Sequence, residues 1–279
     1  MCVPTVAYEI GSNWIEPSAA FCLVWMTLPF SSNSNVKALA SRVLPSKRFV
    51  KRNCACVAAG VKVLLNDPPR ERAEGSAAFV SLDQIKQQAD IITLHVPLNM
   101  KGEDATYHLG NVQFFSDLKQ RPILINSCRG EVLETKAVKD ALNKIQLSGF
   151  VCDCWENEPN IDQELLELTD FATPHIAGYS KDGKAKGSEM SVHAISQHFN
   201  LGLENWQPTV VELPVNPIIE IDGSGMSEQE IISEAILHTY DIREDDTDFR
   251  NNIEQFEQLR GDYPTRREFP AYTIIAQNQ

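Results

Sequence analysis

The chain has 279 residues, 43% of them hydrophobic, enough for two domains and a substantial core. Its formal net charge of −13 argues against nucleic-acid partners and against an anionic membrane surface, while leaving room for a small basic pocket that takes an anionic substrate. Seven cysteines, an odd number at low density with no CxxC pair, argue against a disulfide framework or a structural zinc site and predict a reducing cytoplasm.

The first sixty residues differ in texture from the rest. They hold six Lys/Arg against two Asp/Glu, whereas the remaining 219 hold 19 against 36. Four cysteines (Cys2, Cys22, Cys54, Cys56) fall in this stretch, serine is frequent around SSNSN, and helical or strand periodicity is weak. The apolar run from Ala19 to Phe30 contains Pro29 and follows Glu9 and Glu16 rather than a basic segment, which makes it a poor signal peptide. No apolar run reaches membrane-span length.

Regular patterning begins at Val61. VKVLLND reads as a short buried strand, LDQIKQQA from Leu82 as a short helix, and IITLHVP as a strand ending at Pro97. Val112 to Lys119 reads as helix and PILINS as strand. Thr135 to Leu147 reads as a helix with Ala137, Val138, Ala141, Leu142 and Ile145 on one face. GFVCDCW follows as strand, Asp162 to Thr169 as helix, and DFATPHI as a strand that ends in a loop. Lys184 to Phe199 forms a longer helix with Val192, Ile195 and Phe199 on one stripe. Strands that are apolar on both faces and alternate with helices predict a parallel sheet covered by helices. Gln207 to Gly225, rich in Pro, Gly and Ser, reads as a linker, and a small acidic α/β module follows to Gln279.

Several polar residues sit near the carboxyl ends of these strands, which in a doubly wound sheet open onto one crevice. Asp67 ends the first regular strand, where an acidic residue binds adenosine ribose hydroxyls in dinucleotide folds; it reads equally as a turn Asp before Pro68-Pro69. A carboxylate there would repel a 2′-phosphate, so NAD is favoured over NADP. The glycine fingerprint that should precede such an acid is missing: ASRVLPSKRFVKRNCACVAAG offers a single Gly60. Arg129, in a turn before Gly130, suits two-pronged binding of a carboxylate, or is a surface Arg at a helix entry. Asp153 lies in an apolar strand and needs a polar partner, either a ligand or a local turn. His175 suits removal of a hydroxyl proton, and Glu158 could hydrogen-bond its imidazole; a structural histidine is the alternative. The other five histidines show no comparable setting. Arg266 and Arg267 suit a phosphate, or pair with acids such as Glu268.

NSCRGEVLE, DCWENEP and TPHIAGYS together resemble the signature blocks of the D-isomer-specific 2-hydroxyacid dehydrogenases. LLNDPPR, HIAGYSKDGKAKG and the tail YDIREDD…LRGDYPTRREF are similar to the branch of that family that acts on 4-phospho-D-erythronate. The resemblance runs from Gly60 to about Tyr272. It implies a Rossmann-like doubly wound parallel sheet, incomplete at its N-terminal side, plus a small C-terminal α/β dimerisation domain. The implied division is residues 1–59 without a family match, 60–183 as a partial NAD-binding domain, 184–212 as return helix and linker, and 213–279 as the dimerisation domain. The implied reaction is NAD-dependent oxidation at the 2-hydroxyl, in the formation of pyridoxal 5′-phosphate. Arg129, Glu158 and His175 would be catalytic. Asp67, Val96, Ser127, Cys128, Arg129, Asp153 and Gly178 would hold NAD. Tyr179 would contact substrate, with Arg266 and Arg267 as phosphate ligands, and a homodimer would form through the tail. Residues 1–59 supply neither the family's leading substrate domain nor the fingerprint, and the composition jump at Gly60-Val61 suggests an upstream frameshift or a misplaced gene start. Two alternatives stay open: another D-2-hydroxyacid dehydrogenase, such as a glycerate or phosphoglycerate enzyme, and a non-catalytic remnant that binds no NAD.

Overall fold

The structure, a computed structural model, describes residues 37–42, 62–208 and 211–277. The expectations for residues 1–36 and 43–61, including the Ala19–Phe30 run, the four leading cysteines and most of the region searched for the fingerprint, lie outside the described residues. The chain divides into two compact units, and each is described by itself.

The larger unit contains the described residues up to Ile176 together with residues 242–262. Its sheet has six parallel strands: β1 (Lys37–Arg42), β2 (Lys62–Leu65), β3 (Ile91–His95), β4 (Ile123–Asn126), β5 (Gly149–Cys152) and β6 (Phe171–Ala172). Their order is β2-β1-β3-β4-β5-β6. The chain leaves β1 toward one side to make β2, then returns to the other side of β1 to make β3, so the order reverses between β1 and β3. The carboxyl ends at such a reversal form the crevice in which doubly wound sheets bind ligands. The sheet is α/β as read from the sequence. The side expected to be incomplete carries a strand: Lys37–Arg42 pairs with both β2 and β3, with Leu39 in register with Leu64 and Ile92.

Strand burial follows composition. Phe150, Val151 and Cys152 of β5 are buried, as are Ile92 and Leu94 of β3 and Leu124 and Ile125 of β4. Helices α1 (Pro68–Glu74), α2 (Leu82–Gln88), α3 (Val112–Ser116), α4 (Thr135–Asn143) and α5 (Gln163–Leu168) connect the strands. The sequence reading passed over α1, although Asp67 as cap and prolines in the first turn are a helix-start signal. Helix α4 stops at Asn143 rather than Leu147, because Ile145 adopts a left-handed conformation with φ 58°. Strand β6 is shorter than DFATPHI because Pro174 has no N–H to give and neighbouring donors turn to Asp153.

Helices α8 (Ile242–Asn251) and α9 (Phe256–Gly261) close this unit. Phe249 and Phe256 join the core of the sheet, and each fully buried aromatic contributes roughly 1.5–3 kcal/mol. Asp246 accepts a hydrogen bond from the Ala172 N–H of β6, and Arg250 donates to the Leu166 and Thr169 carbonyls. The edge strand is thus covered rather than left as a template for pairing.

The smaller unit contains α6 (Lys181–Phe199), β7 (Ile218–Asp222), α7 (Glu228–Thr239) and β8 (Thr273–Gln277). Helix α6 starts three residues before the sequence reading because the Ser180 hydroxyl caps the Gly183 N–H. Its apolar stripe is only partly covered: Ile195 is 52% and Phe199 64% exposed. β7 lies inside the stretch read as linker, and its alternation buries Ile219 and Ile221 against Ile231, Ala235 and Tyr272. β7 and β8 pair in parallel.

Candidate active site

The site begins where β4 ends. Asn126 is 1% exposed, and its amide nitrogen donates to the carbonyls of Arg129 and Cys154, both at 3.0 Å. Its side-chain oxygen accepts from the Cys128 N–H and thiol, while its main-chain oxygen accepts from the N–H groups of Asp153 and Cys154. One buried amide therefore fixes the turns after β4 and β5 relative to each other. Gly130 brings the same turns into direct contact: a Cβ built there would lie 1.9 Å from the Trp155 carbonyl oxygen. No other residue fits without moving backbone.

Arg129 is held between these two anchors with an extended backbone and an exposed side chain. One guanidinium nitrogen donates to the Cys128 carbonyl at 2.6 Å. Among the described residues Arg129 forms no ion pair, so its charge is left for an anion.

Past β5, the turn Trp155–Glu158 is closed by the Glu158 carboxylate, whose Oε1 accepts from the Trp155 N–H at 2.7 Å. Its Oε2 lies 2.8 Å from His175 Nδ1. A carboxylate can only accept, so the imidazole carries its proton on Nδ1 and turns the Nε2 lone pair outward. Both groups are partly open, 26% for His175 and 19% for Glu158. They form the pair that a general base and its orienting acid require.

His175 has φ 57°, an uncommon conformation for a residue with a side chain. Asp153 holds it there. Its main-chain oxygen accepts from the His175 N–H at 2.8 Å, and its carboxylate accepts from the Ile176 N–H and the Thr173 hydroxyl at 2.7 Å each. Asp153, fully buried, thus positions the histidine. Trp155 adds a third tie through its indole N–H to the Thr173 carbonyl at 2.9 Å.

Asp67 lies past β2 at the same edge of the sheet. It is 3% exposed, its Oδ1 accepts from the Arg70 N–H at 3.2 Å, and its Oδ2 is buried with no hydrogen-bond partner. Burial, against the Arg70 N–H and charge, holds its carboxyl above the usual value. A buried acceptor without a donor is costly, and the hydroxyls of a ribose would supply one. Val96 lies just past β3, and the Cys128 thiol rests against its backbone. Burial pushes that thiol up to about 11, so Cys128 is packing rather than nucleophile. The Ser127 hydroxyl is also buried without a partner. Asp67, Val96, Ser127, Cys128, Arg129, Asp153, Glu158 and His175 thus share one unit and one sheet edge, and the two orphaned oxygens fit a polar dinucleotide.

Gly178, Tyr179, Arg266 and Arg267 belong to the smaller unit. Gly178 is exposed with open space around it. The Tyr179 ring meets Tyr263 edge to face at 6.0 Å and carries Lys184 Nζ above it at 4.2 Å. Arg266 lies over Tyr240 at 4.3 Å and donates to the Ala177 carbonyl. Arg267 makes a two-pronged pair with Asp182 at 2.8 and 2.9 Å, so its charge is already matched.

Sequence reasoning passed over Asn126, Gly130 and a second histidine pair. His108 Nε2 lies 2.7 Å from Glu156, whose other oxygen accepts from the Thr135 N–H. Burial pushes the Glu156 carboxyl up, but the Thr135 and His108 bonds outweigh it and hold it below the usual range. A polar Asn ending the apolar strand ILIN was the available signal for Asn126.

Residues 50–177 match the model of the D-isomer-specific 2-hydroxyacid dehydrogenase NAD-binding domain, and residues 212–279 match a domain of unknown function. Erythronate-4-phosphate dehydrogenase of Bacteroides thetaiotaomicron is 46% identical over 216 residues, covering 77% of this chain and 59% of that protein. The Porphyromonas gingivalis enzyme of the same name is 42% identical over 217 residues, covering 77% and 58%. The chain therefore spans a little under three fifths of the length of these relatives. Among solved structures, an NAD-dependent formate dehydrogenase from Staphylococcus aureus in complex with NAD shares the fold, with a TM-score of 0.51 and 21% identity over 72% of this chain and 67% of that one. Residues 50–177 are thus similar to the NAD-binding domain of the D-isomer-specific 2-hydroxyacid dehydrogenases.

Proposed function

We propose that the chain oxidises 4-phospho-D-erythronate at its 2-hydroxyl to 2-oxo-3-hydroxy-4-phosphobutanoate, with NAD as acceptor, in the formation of pyridoxal 5′-phosphate. The observation that carries this reading is the His175–Glu158 pair at 2.8 Å, on turns that Asn126 and Gly130 lock to Arg129. NAD would supply the hydride acceptor for C2. His175 takes the hydroxyl proton on Nε2, and Glu158 stabilises the imidazolium that forms. Arg129 holds the substrate carboxylate and draws charge from the developing carbonyl. Asp67 and Ser127 would offer oxygens to the cofactor's hydroxyls, with Val96 and Cys128 beside its path and Asp153 acting through His175. Tyr179 and Arg266 contact the substrate and its phosphate, and Arg267 orders the same segment through Asp182.

The substrate comes from the relatives named for it. The proposed homodimer uses residues 213–279, a range spanned by the matched domain of unknown function at 212–279. A reducing cytoplasm suits the three described cysteines, which are all free thiols. Among the described residues no helix is long and apolar enough to cross a membrane. The test is NADH formation by the purified chain with 4-phosphoerythronate, D-glycerate or 3-phosphoglycerate. Turnover selective for 4-phosphoerythronate supports the proposal, and preference for either other acid replaces it with a different D-2-hydroxyacid dehydrogenase. The missing glycine fingerprint favours a second reading, a folded chain that keeps the trio and holds no NAD. Absence of NAD binding in a calorimetric titration would establish that reading.

A further inference from the structure

Beside the acid–base pair sits a thiol that the proposed reaction does not use. Cys154 follows Asp153 in the turn after β5 and is 1% exposed. One ligand atom from each of Cys154, Glu158 and His175 lies within 4.8 Å of the others. The thiol now points at Asp153 Oδ2, 3.7 Å away.

We propose that Cys154, Glu158 and His175 form a site for a thiophilic divalent cation of the zinc type, and that the ion switches the acid–base pair off. Sulfur, imidazole nitrogen and carboxylate oxygen are the donors zinc selects, and three protein ligands leave a fourth position for water. Zinc bonds of about 2.0–2.3 Å place tetrahedral ligands roughly 3.3–3.6 Å apart. The widest-spaced donors, within 4.8 Å of one another, therefore need to draw in by roughly 1.5 Å at most, while His175 Nδ1 and Glu158 Oε2 part slightly from 2.8 Å; the two surface-facing donors belong to turns rather than to strands. On binding, the Cys154 S–H bond breaks and its proton leaves to solvent while a sulfur–metal bond forms, and His175 loses its Nδ1 proton to solvent as it takes one on Nε2, freeing the Nδ1 lone pair for the metal; no atom changes oxidation state. The 2.8 Å bond between His175 and Glu158 gives way to two metal bonds. An imidazole held in this way no longer has its orienting acid and cannot serve as the base. Occupancy and turnover are then mutually exclusive.

The experiment titrates the full chain with Co²⁺ as a spectroscopic stand-in and then with Zn²⁺. One Co²⁺ per chain, with an intense near-ultraviolet thiolate-to-cobalt band that Zn²⁺ abolishes, is the expected result. Cys154→Ala and His175→Asn should each remove that band, and Cys128→Ala should keep it. A band that survives in Cys154→Ala or in His175→Asn assigns the metal to other cysteines and overturns the proposal, as does absence of any thiolate band in the unaltered chain. The inhibition arm rests on the proposed function: Zn²⁺ should suppress NADH formation reversibly to chelator, and Cys154→Ala should keep the basal rate while needing at least tenfold more Zn²⁺. Should the chain turn over no substrate, the cobalt spectra still decide the metal site.

Discussion

The two ends of the crevice are built differently. At the carboxyl ends of β4, β5 and β6, Asn126, Asp153, Trp155 and Glu158 tie every turn to its neighbour by hydrogen bonds of 2.7–3.0 Å. At the end of β2, Asp67 is buried just as deeply yet keeps one oxygen without a donor. The first arrangement makes its hydrogen bonds within the fold, before any ligand arrives. The second, on the proposed function, would be satisfied from outside, so its energy would be realised on binding. A site that must place a base within hydrogen-bond reach of a hydroxyl benefits from the former. A site that, as proposed, would release its cofactor after each turnover would benefit from the latter.

Substitutions on the internally bonded side should cost stability. The largest effect is expected for Gly130→Ala, because the new methyl meets the Trp155 backbone rather than a yielding side chain. A loss of about 3 kcal/mol or more is expected in urea unfolding; an unchanged midpoint would show that the two turns are not in contact. Next comes Asp153→Ala, which strands the Ile176 N–H and Thr173 hydroxyl. It should cost about 2–3 kcal/mol and release His175 from its left-handed conformation, seen as a shifted imidazole resonance.

On the Asp67 side the expectation inverts. Asp67→Asn keeps the cap on Arg70 but removes the charged acceptor. NAD affinity should fall about tenfold to a hundredfold, while the melting temperature of the free chain holds or rises. The carboxyl of Asp67 is held above its ordinary value, so its ionisation opposes folding as pH rises through the interval up to the folded value. Calorimetric NAD titration and thermal melts of both forms separate the two effects; equal losses of affinity and stability would erase the distinction. The smallest effect belongs to Glu156→Gln. The Glu156 carboxyl is held below its ordinary value, so its contribution is present above the unfolded value and fades as pH falls through the folded one. The stability difference between parent and variant, about 1 kcal/mol at neutral pH, should therefore shrink on acidification below roughly pH 4.3. A difference that grows instead would contradict the assigned bonds.

The internally bonded side was also the more legible in sequence. Arg129, Glu158 and His175 each follow a short apolar strand, and parallel strands bring their following turns to one edge whatever the intervening sequence. The paired resemblance blocks added which role each takes. What joins the turns was not legible, because the meeting of Gly130 with Trp155 depends on how two strands are registered, not on local pattern. Asp67 was read as a strand end or a turn, and the cap-and-proline signal that it also carries was passed over. β7 was hidden among prolines and glycines, although Ile219 and Ile221 alternate as a half-buried strand should. Helices α8 and α9 escaped because acidic residues dominate their exposed faces, while Phe249 and Phe256 do the packing.

The most direct test of the central claim compares NADH formation from 4-phosphoerythronate by the unaltered chain and by His175→Asn, at saturating NAD. The account predicts turnover in the first and a loss of roughly 10²–10⁴-fold in the second, with melting temperature and NAD affinity preserved. Equal rates in the two chains would contradict it, because His175 would then not be the group that takes the proton.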